Sequence, residues 1–259
     1  MTYCLGMKLD AGMVFASDSR TNAGVDNVGR FEKMRVYEKP GERVIVTLSA
    51  GNLSVTQNAL GLLDHRVRKD PHATHFMNAT SLFEVAGALG DAMREVQRRD
   101  GDYMRANKID ASASFIVGGQ VAGEEPRLFL VYTEGNFIET SRETNYFQIG
   151  EIKYGKPIID RVLTPRTSLQ EAVKCALISF DSTMRSNISV GPPIDVLVLQ
   201  TDALRVGVTQ RLDEGDPYLT YVRNTWSEGL KRLYVQMPAP PWFSSEAPTL
   251  QQAAQQAQQ

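Results

Sequence analysis

Short apolar segments broken by turn residues and by one longer polar stretch make the first fifty positions of the chain read as four strands, and helical periodicity then takes over. Tyr3 to Leu9 reads as a short strand, Asp10-Ala11-Gly12 as a turn, and Met13 to Asp18 as the return strand of a hairpin. Thr21 to Glu32 is polar, carries Gly24 and Gly29, and reads as a loop. Met34 to Tyr37 and Arg43 to Leu48 are two further strands, separated by the turn Lys39-Pro40-Gly41-Glu42. Leu53, Leu60, Leu63 and Val67 then share one face of a helix that ends in the basic stretch His65, Arg66, Arg68 and Lys69 and stops at Pro71. A second helix opens at a capping box, Ser81 with Glu84, and runs to about Asp100. Its buried stripe is Leu82, Val85, Leu89, Met93 and Val96.

Strands are expected again at Ala113–Val117, Arg127–Thr133, Phe137–Thr140 and Tyr146–Ile149. Helices follow at Lys156–Val162 and from Ser168, capped by Glu171, to about Asn187. The last strands are Ile194–Gln200 and Leu204–Val208, and a final helix starts at Asp216-Pro217, an N-cap followed by proline at the first helical position. Runs of strands separated by runs of helices argue for an α+β fold, not a parallel wound sheet. A sandwich of two antiparallel sheets, covered by helices on both outer faces in four αββα layers, would bury every apolar stripe. The expected organisation is one domain over residues 1–237, then a tail over 238–259 that is proline-rich at Pro238-Ala239-Pro240-Pro241 and Gln/Ala-rich from Gln251 to Gln259.

Composition narrows the function classes. A formal net charge of -2 on 259 residues leaves no electrostatic footprint for nucleic acid. No apolar run approaches the roughly 18 residues of a membrane span. Lys8, Asp10 and Asp18 interrupt any signal-peptide core. Cys4 and Cys175 lie far apart and fit no metal spacing, so a reducing, cytoplasmic setting is expected, with no metal and no organic cofactor. His65, His72 and His75 with Asp70 read as solvated or capping groups at a helix end. Gly118-Gly119 reads as a turn and not a phosphate loop; Met7, Met13 and Trp226 read as packing residues. Met34, next to Lys33, is a candidate pocket-lining residue. Cys4 is either a second nucleophile or a small core residue, and on a buried strand the second is the ordinary case.

The chemistry is concentrated at the start of the chain. Thr2 follows a methionine, and threonine is small enough for removal of Met1 to be expected. Removal would expose a hydroxyl nucleophile and a base, the free α-amine, on one residue. An α-amine titrates near ~8, so a nearby cation that disfavours the ammonium leaves it basic at cellular pH. Asp18, at the end of the return strand, lies beside the chain start in a hairpin, and Lys33 opens the next strand. A carboxylate beside that lysine would orient it and keep it charged.

Thr2, the segment Ala16-Ser17-Asp18-Ser19-Arg20, Lys33, the Ser49-Ala50-Gly51 strand-to-helix junction, and Arg185 to Gly191 ahead of the strand Ile194–Val198 together resemble the proteasome β-subunit family over about residues 2 to 210. The opening stretch to Asn27 and the turn Ser189 to Pro193 are most similar to the bacterial Anbu group, proposed ancestral β-subunits. The resemblance implies a threonine peptidase of the N-terminal nucleophile hydrolase class. Thr2 would be the nucleophile, Asp18 the orienting acid, Lys33 the cation and Ser189 a supporting serine. The backbone at Ala50 and Gly51 would hold the oxyanion. Two supporting groups depart from the family pattern. The acid expected three residues before Ser189 is replaced by Ser186, with Asn187 beside it, and the remaining serine is missing near Gly150-Glu151-Ile152-Lys153, where Glu151 or Lys153 is the nearest polar substitute. The resemblance also implies a homo-oligomer, either a ring or a helical or lock-washer assembly, acting on peptide or protein substrates. Nothing in the chain marks a binding site for an ATP-driven unfoldase. Rival readings are an assembling scaffold or binding protein of the same fold, and a hydrolase of small amides.

Overall fold

The computed structural model describes residues 2–22, 28–240 and 242–243, and the expected Gln/Ala tail lies outside them. The chain forms two compact units, Met1–Asp216 and Pro217–Gln259. In the first, β1 (Tyr3–Leu9) and β2 (Gly12–Asp18) form the predicted hairpin, with Cys4 opposite Ser17 and Leu9 opposite Gly12. β10 (Tyr146–Gly150), β11 (Ile194–Gln200) and β12 (Val208–Leu212) complete an antiparallel sheet in the order β10-β1-β2-β11-β12. The second sheet follows chain order: β5 (Met34–Lys39), β6 (Arg43–Gly51), β7 (Ala113–Val121), β8 (Arg127–Val131) and β9 (Phe137–Glu139).

Alternation distributes the strand residues between layers. Cys4, Met13, Phe15, Leu48, Ile116 and Leu197 meet in the core between the two sheets. Ile45, Phe115, Val117 and Phe129 face the other way, against α1 (Leu53–Lys69) and α2 (Leu82–Ala106), where they pack on Leu63, Leu89 and Met93. On the opposite outer face α3 (Lys156–Val162) packs on α4 (Leu169–Ser186), and α4 lies on β1 and β2, with the Tyr3 and Phe180 rings 4.5 Å apart. Helices, two antiparallel sheets and helices are therefore the four layers. β1 and β2 are apolar along nearly their whole length because both their faces are covered. Among the described residues no helix is long and apolar enough to cross a membrane.

Local chemistry sets the helix ends. Ser168 and Glu171 form a reciprocal capping box at α4. At α2 only half of the expected box exists: Ser81 accepts from the Glu84 N–H, while the Glu84 carboxylate accepts from Thr80 N at 2.9 Å, one residue early. In the second unit, α5 (Pro217–Gln236) begins at the predicted proline, and its Trp226 is half-buried.

Three expectations are corrected. Thr21 to Glu32 is not all loop: β3 (Arg20–Asn22) and β4 (Val28–Arg30) pair as a small antiparallel ribbon. Strands of three residues are too short to leave an alternation signal. The strand expected at Leu204–Val208 is instead β12; Asp202 and Leu204 have positive φ of 63° and 48° in the turn before it. β12 is an edge strand with only Leu212 buried, so its sequence carries no apolar pattern. Gly118 and Gly119 lie within β7 and form no turn. A Cβ on Gly118 would stand 2.5 Å from Leu128 and 2.9 Å from Phe15, so this glycine admits the large side chains of the inter-sheet core.

Candidate active site

Thr2 immediately precedes β1, the second strand of its sheet, and is half-buried. Its carbonyl accepts a hydrogen bond from the Glu151 N–H at 2.7 Å. Gly150 makes this approach possible: its φ is +85°, and a Cβ there would lie 1.9 Å from the Thr2 carbonyl oxygen. Gly150→Ala is expected to destabilise the protein by at least ~1–2 kcal/mol through the left-handed backbone alone. The close contact adds to that, and thermal denaturation should show a fall of several degrees, at ~2–4 °C per kcal/mol for a domain of this size.

The hairpin brings Asp18 to the same end. Asp18 is fully buried, and its Oδ1 accepts from Tyr3 N at 2.9 Å and from Lys33 Nζ at 2.7 Å. Lys33 is 6% exposed and also donates to the Arg20 carbonyl at 2.5 Å. Burial pushes the Asp18 carboxyl above its ordinary range; the Lys33 charge and hydrogen bond, and the Tyr3 and Gly191 backbone N–H groups, oppose that rise. The backbone of Lys33 is pinned in turn, its carbonyl accepting from Ser49 N at 3.0 Å and Ser49 Oγ at 3.4 Å.

That contact places the β6 end beside Lys33. Within a strand, N–H groups two residues apart point to the same side. The Ser49 N–H points to the β5 side, so the Gly51 N–H does too, past the first β5 residue, Met34, which pairs with Leu48. Gly51 has a φ of +99°, and a Cβ there would meet the Ser112 carbonyl at 2.3 Å. Ala50 is buried behind it, and Asn52 caps α1 by accepting from Ser54 N and Val55 N.

The turn between α4 and β11 closes the other side. Asn187, the C-cap of α4, donates from Nδ2 to Glu151 Oε2 at 2.9 Å, and its Oδ1 accepts from the Ser189 N–H at 2.9 Å. Arg20 donates to the Ile188 carbonyl at 2.9 Å, and Ser19 Oγ to the Pro193 carbonyl at 2.9 Å. Of the groups weighed as substitutes for the missing support, Glu151 and Asn187 are bonded to each other and the Glu151 backbone reaches Thr2, whereas Ser186 and Lys153 are exposed.

Tyr3 was not among the sequence candidates. Besides its N–H contact with Asp18, its hydroxyl lies 2.6 Å from Ser179 Oγ on α4 and accepts from Gln148 Nε2 on β10 at 2.5 Å. A tyrosine on a fully buried strand requires such partners, and that requirement was the available signal. Cys4 is the core residue expected: it is fully buried, its thiol donates to the Ser49 carbonyl at 3.6 Å, and burial pushes its pKa far up, away from a reactive thiolate. Met34 is half-buried against the inter-sheet core. The histidines are dispersed. His75 Nε2 meets Asp64 at 3.0 Å under Tyr37 and Phe76, His72 uses only its N–H on Asp70, and His65 is exposed.

Solved structures provide close relatives. The chain is 47% identical to Anbu (ancestral beta-subunit) from Yersinia bercovieri, covering 92% of this chain and 98% of that one with a TM-score of 0.85. It is 45% identical to the Anbu complex from Pseudomonas aeruginosa, described as a helical assembly, over 92% and 98% of the two chains with a TM-score of 0.86. An Anbu Gly-1 mutant from Hyphomicrobium sp. strain MC1 is 43% identical over 93% and 99%, with a TM-score of 0.85. No protein-family model and no curated protein sequence matches the chain.

Proposed function

Because the chain belongs to the Anbu (ancestral beta-subunit) family, with its proteasome β-like fold, we propose that it is an N-terminal threonine hydrolase that cleaves amide bonds in peptides. The observation that carries this reading is the buried contact of Lys33 with Asp18 Oδ1, the atom that also receives the Tyr3 N–H, one residue from Thr2. A buried cation at this place has a chemical use. Once the residue before Thr2 is removed, Lys33 disfavours the Thr2 ammonium and leaves the amine free to act as base.

The amine takes the hydroxyl proton as Thr2 Oγ1 attacks the scissile carbonyl carbon. The Gly51 N–H stabilises the resulting oxyanion, in the direction that β5 leaves uncovered. The protonated amine then gives its proton to the leaving nitrogen, the C–N bond breaks, and a Thr2 ester remains. Water, deprotonated by the same amine, attacks that ester and restores the hydroxyl. Asp18 orients Lys33; Ser189, Asn187 and Glu151 form the support around the amine. The catalytic groups all come from the chain, without a metal or organic cofactor, and the work is done in the cytoplasm. By analogy with the Pseudomonas aeruginosa relative, the chain works as a homo-oligomer, in a ring or a helical assembly that encloses its peptide substrates.

Intact-mass and peptide mapping after treatment with a threonine-directed electrophile, such as an epoxyketone or a β-lactone, tests the reading. The expected result is a single adduct on an amino-terminal Thr2. A protein that starts at Thr2 and forms none, beside a reacting proteasome control, would make the reading wrong. The rival reading, an assembling scaffold without catalysis, is favoured by one observation: Ser186 stands exposed where the family pattern has an acid. The same experiment separates the two.

A further inference from the structure

Glu151 is a buried carboxylate, 8% exposed, and Asn187 Nδ2 at 2.9 Å is a neutral partner for it. None of the ion pairs among the described residues includes Glu151. A carboxylate taken out of water without an opposite charge is costly, and native proteins pair such groups. The Glu151 N–H on the Thr2 carbonyl, at 2.7 Å, brings the two residues together one step beyond the last β1–β10 pair, Tyr3 with Gly150. A glutamate side chain is long enough to reach the nitrogen of a residue held this closely.

We propose that the missing cation is created by maturation: removal of the residue before Thr2 turns an amide nitrogen into an α-ammonium, which becomes the counter-ion of Glu151. The inference rests on Thr2 becoming amino-terminal, as in the proposed function. It gives the amine two opposed neighbours, Lys33 lowering its pKa and Glu151 raising it. Other charged groups on the elements packed around Thr2 include Asp18, already engaged by Lys33; Arg20, whose guanidinium binds the Ile188 carbonyl; and Asp181, a buried carboxylate on α4. A serine at the Glu151 position would hydrogen-bond the amine without holding its proton. Glu151 therefore moves the onset of activity to higher pH and couples maturation to stability.

The sign follows from linkage. Lys33 and Glu151 act on the amine with opposite signs, so the part that Glu151 adds is the difference between the parent and a variant without its charge; that part is complete below the unfolded value of ~7.7–8.0 and is lost as pH rises through the folded value. Two forms of the full chain are compared by thermal denaturation: one starting at Thr2, and one retaining Met1 after expression with methionine aminopeptidase inhibited. At about pH 6 the melting temperature of the Thr2 form relative to the Met1 form is expected to be several degrees higher in the parent than in Glu151→Gln, which keeps the bond to Asn187, and this difference should close by about pH 9.5. An equal value in parent and E151Q, or a drop in Asp181→Asn and not in E151Q, overturns the proposal.

The second readout is the pH midpoint of electrophile adduct formation on Thr2. It is expected to fall by about one unit in E151Q, and an unmoved midpoint also overturns the proposal. If no variant forms an adduct, the hydrolase reading fails, while the melting comparison still decides the ion pair.

Discussion

Replacing Thr2 by alanine is expected to reduce amide hydrolysis by at least ~10³-fold, because on the proposed mechanism it removes the attacking atom and leaves only binding and oxyanion stabilisation. The α-amine, Lys33 and Asp18 all remain in T2A, so the folded state and its melting temperature should change little. Thr2→Ser keeps a hydroxyl and an amine on one residue and should retain measurable turnover. The comparison is made on mature protein, with the amino terminus verified by mass, using a fluorogenic peptide. Equal activity in T2A and the parent would place the chemistry elsewhere and remove Thr2 from the mechanism. A low rate in both, together with an adduct on parental Thr2, would point to a peptide that does not fit and not to a dead nucleophile.

The second large effect concerns the buried pair. Lys33→Met leaves the Asp18 carboxylate without its cation, and Asp18→Asn leaves Lys33 without its anion, in a site where both side chains are shielded from water. Removing one member of such a pair costs about 3–5 kcal/mol, whereas replacing both by neutral groups costs far less. At ~2–4 °C per kcal/mol, each single variant should melt roughly 6–20 °C lower, and the double variant D18N/K33M should recover most of the loss. The pH dependence adds a check. Burial raises the folded Asp18 carboxyl above its ordinary value, so the folded state binds this proton more tightly than the unfolded chain. The contribution of Asp18 to stability is therefore greatest at low pH and declines as pH rises through the window between the unfolded and folded values. Without Lys33 that decline should be deeper, so the penalty of K33M should grow with pH. Single variants as stable as the parent at neutral pH would mean that the pair does not hold this end of β2.

How much of this was legible in the sequence depended on the physical origin of each signal. β1, α3 and β11 occupy the predicted bounds, Tyr3–Leu9, Lys156–Val162 and Ile194–Gln200; β1 and β11 are short runs buried at nearly every position and closed by turn residues. The stripe of α2 is likewise buried as expected, from Leu82 to Val96. β12 was displaced because an edge strand with only Leu212 inside has no period to read. Gly118 was misread because a glycine that admits bulky neighbours looks, one residue at a time, like a glycine that permits a turn. In the candidate site, the proximity of Asp18 to the chain start follows from the hairpin alone. The choice of Glu151 over Lys153 and of Asn187 over Ser186 does not, since it depends on the positive φ of Gly150 and on where α4 ends. Neither quantity is local to the residues being chosen. Tyr3 lay between two residues weighed for chemistry, and its role appears only when α4 and β10 bring Ser179 and Gln148 to its hydroxyl.

β1 is paired with β10 as far as Tyr3, the residue that follows Thr2, and with β2 as far as Cys4, and the Tyr3 N–H is held by the Asp18 carboxylate. Chain ends ordinarily fray, and a reactive group on a fraying end must be immobilised anew in each turnover. Here folding has already imposed that order, so on the proposed mechanism the entropic cost of aligning the nucleophile falls on the stability of the domain and not on the barrier to reaction. The same geometry has a practical side. On the proposed mechanism any residue added ahead of Thr2 acylates the amine that must act as base, so an amino-terminal tag turns the protein into its own zymogen. Affinity tags for functional work therefore belong at the other end of the chain.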